Sequence, residues 1–122
     1  MVKKKINLFD SAFINASVGN ILELDDVHRT SIIHPGDTVI PAAIAAASFK
    51  KVDPYNFLKA IISGYEAAIR MGICLGKEHY QYFYSSATCG VFGASTAASL
   101  ILNHDTNQCN INKLLNSSLQ LS

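Results

Sequence analysis

Charge is scarce in this chain: charged residues make up 16% of it, against about a quarter in an ordinary soluble protein. A net charge of +1 gives no electrostatic reason for nucleic acid to bind, and the aromatic residues are not interleaved with a basic patch. The Lys3-Lys4-Lys5 cluster is too short to change that. Long hydrophobic runs are missing too. No stretch approaches the length that spans a bilayer, and Ile6 to Phe9, behind the lysines, is far too short for a signal-peptide core. No membrane partner is therefore expected, and the cytosol is the expected compartment. Cys74, Cys89 and Cys109 have no CxxC spacing and are odd in number, which argues against zinc or a disulfide framework and for free thiols in a reducing compartment.

What the chain has in quantity is apolar surface. Apolar residues are 49% of the 122, and the mean hydropathy is +0.21. The length suits one domain and is too short for two. A small domain has proportionally more surface to cover with polar groups, so this excess implies faces that are buried against further sequence or a partner subunit.

The pattern reads as helices without convincing strands. From Phe9 to about Leu22, Phe9, Ala12, Phe13, Ala16 and Ile21 keep helical spacing. A second helix is expected to be capped by Asp37 or Thr38, with Pro41 in or beside its first turn, and to run through the alanines to about Lys50. A third has Asp53 as N-cap, Pro54 at the first position and Gly76 as its stop. Its apolar stripe of Phe57, Leu58, Ile61, Ile62, Tyr65, Ala68, Ile69 and Gly72 is assigned to the core. Tyr65 has the alternative of presenting its hydroxyl to a pocket.

After an aromatic and polar loop from Lys77 to Ser86, a small-residue helix runs from about Ala87 to Asn103, suited to close helix contact. Gly90 and Gly93 match neither a Walker A nor a dinucleotide fingerprint, and no strand precedes them. The tail from His104 has a possible cap at Asp105 and an apolar face at Ile111, Leu114 and Leu115, then ends without a stop signal.

Chemistry concentrates in Glu23-Leu24-Asp25-Asp26-Val27-His28-Arg29 and the following His34-Pro35-Gly36-Asp37. Three carboxylates, two imidazoles and a guanidinium precede Asp37 on a connection that the flanking helices can aim at a ligand. An imidazole is the side chain suited to proton transfer near neutrality, and His34 is the candidate acid or base. The acids can orient it or hold a substrate hydroxyl, or they can brace the loop through backbone N–H groups. Arg29 can grip a carboxylate or pair with Asp25 or Asp26. Metal binding by His28, His34 and nearby acids is a further reading of the same residues.

Five ordered blocks carry a resemblance: Leu22 to His28, His34-Pro35-Gly36, Val39 to Ala43, Gly64-Tyr65-Glu66-Ala67-Ala68-Ile69-Arg70, and Ser86 to Ala94. Together they resemble the N-terminal helical domain of the MmgE/PrpD family, which includes 2-methylcitrate dehydratase, cis-aconitate decarboxylase and iminodisuccinate epimerase. The resemblance runs from about Asp10 to about Asn112. It implies an all-α fold, with residues 1–122 a partial helical bundle of a larger, usually dimeric domain whose α+β lid and active-site lysines lie in other sequence. Low turnover by this piece alone is then expected, and a non-catalytic helical module that binds a partner chain is the alternative.

The implied chemistry is loss or movement of a proton beside a carboxylate of a small di- or tricarboxylate, with departure of water or carbon dioxide, and no cofactor. By resemblance His34 and Tyr84 occupy catalytic positions, and Glu23, Asp25, Asp26, His28, Arg29 and Thr88 occupy substrate-binding ones. Two positions depart from the family pattern. Val27 replaces a common threonine, and Tyr84 stands where Phe-His-x-x-x-Thr carries its histidine. A phenol, with an ordinary pKa near ~10, donates hydrogen bonds but is a poor base at neutral pH. Thr88 and the N–H groups opening its helix are a candidate carboxylate cradle, with ordinary helix capping the alternative for Thr88.

Overall fold

A computed structural model describes residues 6–104. Among these the fold is all-α, with four helices and a single isolated bridge between His28 and Ile33. The expected tail features and Cys109 lie outside the described residues.

Helix α1 spans Leu8–Asn20, and Asn7 caps it by accepting from Asp10 N–H at 2.8 Å. It buries no residue completely. Helix α2 spans Gly36–Phe49. Neither Asp37 nor Thr38 caps it: both lie inside its first turn, Pro35 is the cap residue, and the Thr38 hydroxyl donates to Pro35 O at 3.1 Å. The helix thus starts earlier than expected, which leaves Pro41 inside it and the Asp37 carbonyl without its usual N–H donor.

Helix α3, Pro54–Tyr80, has the expected cap, with Asp53 accepting from Asn56 N–H at 3.0 Å. Those bonds hold the exposed Asp53 carboxyl below its usual range. Gly76 breaks the helix with φ 71°, as a stop residue should, but one more helical turn follows it. Part of the expected 77–86 loop is therefore helix. Helix α4 spans Ser85–Leu102 and ends on Asn103 in the left-handed region, beside Lys50 Nζ donating to Leu102 O at 2.9 Å.

The core line of α3 consists of Ala60, Gly64, Ala68 and Gly72, all buried. Leu58 and Ile62, placed in the core by periodicity, are instead 58% and 64% exposed. Small side chains won because α3 approaches α4 too closely for branched ones. A Cβ built on Gly93 would lie 2.6 Å from Gly64 O, and one on Gly64 would lie 2.7 Å from Val39 Cγ1. Around this crossing Val39, Ala43, Ala46, Ala60, Ala97 and Ile101 form the main core. Helix α2 lies on α4 and touches α3, while α1 leans on α2.

By length and composition α4 does reach a membrane-spanning profile, contrary to the sequence expectation, with mean hydropathy 1.3 over 18 residues. Its buried Gly90, Gly93 and Ala97 face the bundle.

The Gly93→Ala substitution is expected to cost about 1–3 kcal/mol, the range for overpacking a close contact. Gly19→Ala, whose new Cβ meets nothing within 4 Å, should leave stability unchanged or raise it by up to about 1 kcal/mol. Urea unfolding of the two variants beside the parent chain checks the contrast.

Candidate active site

The connection between α1 and α2 folds back on itself. His28 N–H donates to Ile33 O and Ile32 N–H to His28 O, each at 2.9 Å, with Ile32 at φ 52° closing the turn. Ser31 and Ile33 rest against Gly72 of α3, and Ile33 is fully buried. His34 follows directly, its N–H donating to Ser86 Oγ in the first turn of α4 at 2.9 Å. The imidazole is thus carried on backbone fixed at both sides.

Asp25 is the nearest carboxylate to that ring. Its Oδ2 lies 3.3 Å from His34 Nδ1, with the Asp25 side chain 9% and the His34 side chain 32% exposed. The pair is within ion-pair reach but poorly aligned for a hydrogen bond, and neither Asp25 oxygen has another partner among the described residues.

Asp26 turns the other way and braces the loop. Its Oδ1 accepts from Gly36 N–H at 3.1 Å, and the Tyr65 hydroxyl donates to the same carboxylate. Burial, then the charge of Asp26, push the Tyr65 phenol up to about 12, so it remains a donor throughout the physiological range. The backbone passes so near that a Cβ at Gly36 would fall on Asp26 Oδ1 and 2.8 Å from Tyr65 Oη. Tyr65 thus packs its ring against the main core, as its place in the apolar stripe implies, while its hydroxyl lies beside Asp26.

Asp37 completes the group. Burial raises its pKa, Asp25 and Asp26 raise it further, and His34 and the Asn20 amide, 3.2 Å away, oppose the shift. One Asp37 oxygen is buried without a partner. A third carboxylate beside two others, only part-compensated by one imidazole, has a reason to hold a proton.

The remaining candidates lie apart from this cluster. His28 Nδ1 is 2.8 Å from Ser31 Oγ, so the ring secures its own turn. Among the described residues no three His, Cys, Asp or Glu side chains are disposed to hold a metal ion, which leaves the metal reading without a donor set. Glu23 is exposed at φ 49°, and Arg29 is exposed with no ion pair or hydrogen bond among the described residues.

Tyr84 is the N-cap residue of α4, 55% exposed, and its side chain makes no capping bond. Ser85 and Ser86 are buried, and no acceptor meets their N–H groups among the described residues. Thr88 Oγ1 lies 3.4 Å from Tyr84 O and 3.3 Å from Ser85 O, and its shortest contact is His79 Nε2 at 2.7 Å. Beside it Cys89 is buried, which pushes its thiol pKa up. Asn20, Tyr65 and Ser86 enter the site through contacts between residues remote in sequence, for which local spacing offers no signal.

The pH dependence of Asp37 follows from the sign of its shift. A carboxyl raised in the folded state binds more protons there than when unfolded, so its contribution to stability falls as pH rises from the unfolded value of 3.8 through the raised folded value. Asp37→Asn should therefore be at least as stable as the parent at pH 7, with the advantage vanishing below about pH 4. Thermal unfolding of both proteins across this range checks the sign.

Comparison with known proteins accords with the all-α arrangement. Residues 1–111 match the MmgE/PrpD N-terminal domain. A cis-aconitate decarboxylase-like protein, oryM, of Aspergillus oryzae is 30% identical over 97 residues, covering 73% of this chain. The chain spans only 20% of that relative's length. With the family match extending over most of its residues, the chain belongs to the MmgE/PrpD family, as part of its N-terminal helical domain.

Proposed function

We propose that this chain carries the His34-centred part of a lyase or isomerase site acting on small di- or tricarboxylates. The observation that carries the reading is the Asp25–His34 pair, a buried carboxylate with no competing partner set 3.3 Å from an imidazole that still reaches solvent. In the proposed reaction neutral His34 takes a proton from the carbon beside a substrate carboxylate. Asp25 stabilises the imidazolium that results, and the bond Tyr65–Asp26–Gly36 keeps the loop still. The proton returns to a leaving hydroxyl in dehydration or to carbon in epimerisation; in decarboxylation His34 instead starts protonated and gives its proton to the carbon that keeps the bonding pair as carbon dioxide departs, and no cofactor is invoked. Tyr84 contributes a hydrogen-bond donor, with Thr88, Glu23, His28 and Arg29 on the periphery.

The test compares cis-aconitate and 2-methylcitrate turnover by the protein in the longest form its source cells make with turnover by residues 1–122. The short form is expected to be nearly inactive. In the long form His34→Ala should lower kcat by about 10²–10⁴, the usual worth of a positioned acid or base. Undiminished turnover by His34→Ala would overturn the assignment.

A second reading, a helical module that binds a partner chain or a second copy of itself, is favoured by one specific observation. Phe9, Phe13, Val18 and Ile21 of the α1 region are 76%, 73%, 68% and 75% exposed, although each is large and apolar. Sedimentation of the purified chain should show association; a stable, soluble monomer would count against this reading.

A further inference from the structure

We propose that the end of the bundle away from His34, where α2, α3 and α4 meet, is a binding site for a small phosphate-bearing molecule held by Lys50, Lys51 and Lys59. These are three of the six Lys and Arg side chains among residues 6–104, and all three line one cavity of about 320 Å³. That volume is at the lower end of those that hold small molecules. Half of the described Lys and Arg side chains of a charge-poor chain thus meet at one hollow. His34 precedes α2 and Lys50 follows it, so the 14 residues of that helix separate the two places by about 20 Å. The cavity is distinct from the candidate active site.

Negative charge is short around this cavity. Asp53 is the only acid that lines it, and both its oxygens are engaged by Asn56, Oδ1 by the N–H at 3.0 Å and Oδ2 by the side-chain amide at 2.6 Å. Lys50 Nζ donates to Leu102 O at 2.9 Å. With the Asn103 amide turned so that both its ends are satisfied, Lys50 Nζ also donates to the amide oxygen at 3.0 Å. One ammonium is thereby fixed across the end of α4. Lys51 and Lys59 make no ion pair or hydrogen bond among the described residues. Three ammoniums against one carboxylate leave two positive charges unmatched. The walls include the buried Ala60 and Ile101, apolar surface that strengthens the pull on an anion.

Stabilisation of helix ends does not account for the cluster. The helix dipole favours cations at a C-terminus, which explains Lys50 beside the last carbonyls of α4. Lys59 is near the opposite kind of end, in the second turn of α3, where the dipole offers a cation no benefit. The connection from α2 to α3 has donors to spare as well, since the N–H groups of Lys51 and Val52 meet no acceptor among the described residues. Lysines without an arginine suit a tetrahedral phosphate, met by separate point charges, better than a planar carboxylate, which favours the guanidinium fork. A phosphate dianion matches the two unmatched charges, and the apolar walls leave contact area for a small carbon skeleton.

Calorimetric titration of inorganic phosphate at fixed ionic strength, into the protein in the longest form its source cells make, tests this. Saturable binding is expected. Lys51→Gln and Lys59→Gln should each weaken it about tenfold, the worth of one charge-assisted bond. Lys77→Gln, which changes a lysine outside the cavity, should leave it unchanged. Lys51 and Lys59 are exposed, so both variants should keep the parent's melting temperature in phosphate-free buffer. Absence of saturable binding, or binding that the two cavity variants leave intact, overturns the site. An equal loss in Lys77→Gln overturns it too, because the attraction would then follow net charge alone. Citrate run beside phosphate separates the two anion chemistries, and tighter binding of citrate through the same two lysines overturns the phosphate assignment.

Discussion

The backbone contact between Gly64 and Gly93 is the constraint on which the rest of this structure depends. With no side chain on either residue, α3 and α4 come together until the carbonyl of each occupies the space that the other's Cβ would take. Val39 of α2 closes the same junction, since its methyl groups would be 2.7 Å and 2.8 Å from those two Cβ positions. One crossing thus fixes three helices. The loop that carries His34 begins and ends on parts of this frame, Ser31 against Gly72 of α3 and His34 N–H on Ser86 of α4. A shift of the crossing would move both supports, so the position of the imidazole is set by packing some distance from it.

Within that frame the three aspartates around His34 divide the work by where each points. Asp26 spends its charge on Gly36 N–H and the Tyr65 hydroxyl, and so serves the backbone. Asp25 has no hydrogen bond and faces the ring. Asp37 is held back from ionising by burial first and then by its neighbours' charge. Three ionised carboxylates could not share so small a volume cheaply, and the raised pKa of Asp37 is where the strain is relieved. A carboxylate left without hydrogen bonds costs stability, and Asp25 is held in that state beside the His34 ring.

Much of the helical plan was legible in residue order, because its signals are local. Asp53 and Pro54 announce a helix start, Gly76 its break, and the alanine and glycine runs the close contacts. The errors arose where tertiary packing overruled periodicity. Leu58 and Ile62 have helical spacing with the core residues, yet the Gly64–Gly93 approach excludes their bulk and turns the small residues inward. Pro35 opens α2 where Asp37 or Thr38 had the better capping chemistry, because Asp37 is drawn towards Asn20 and the His34 cluster. His34, Asp25 and Asp26 could be singled out from their spacing and family resemblance. The contacts of Tyr65, Ser86 and Asn20 could not, since each partner lies at least ten residues away along the chain.

The exposed apolar residues give the remaining step. Phe9, Phe13 and Ile21 lie about the α1 face that the bundle leaves open, while Leu58 and Ile62 lie on the outer side of α3. Apolar side chains so exposed on two separate helices are not required by any packing among residues 6–104. At about 25 cal/mol per Å² of apolar area, covering them would stabilise the bundle appreciably. The site has the same character as these faces: a helix start without acceptors at Ser85 and Ser86, and a His34 ring that still reaches solvent. Under the second reading proposed above, in which the module binds a partner chain or a second copy of itself, one contact accounts for both features. Site assembly and burial of these helices would then be one event.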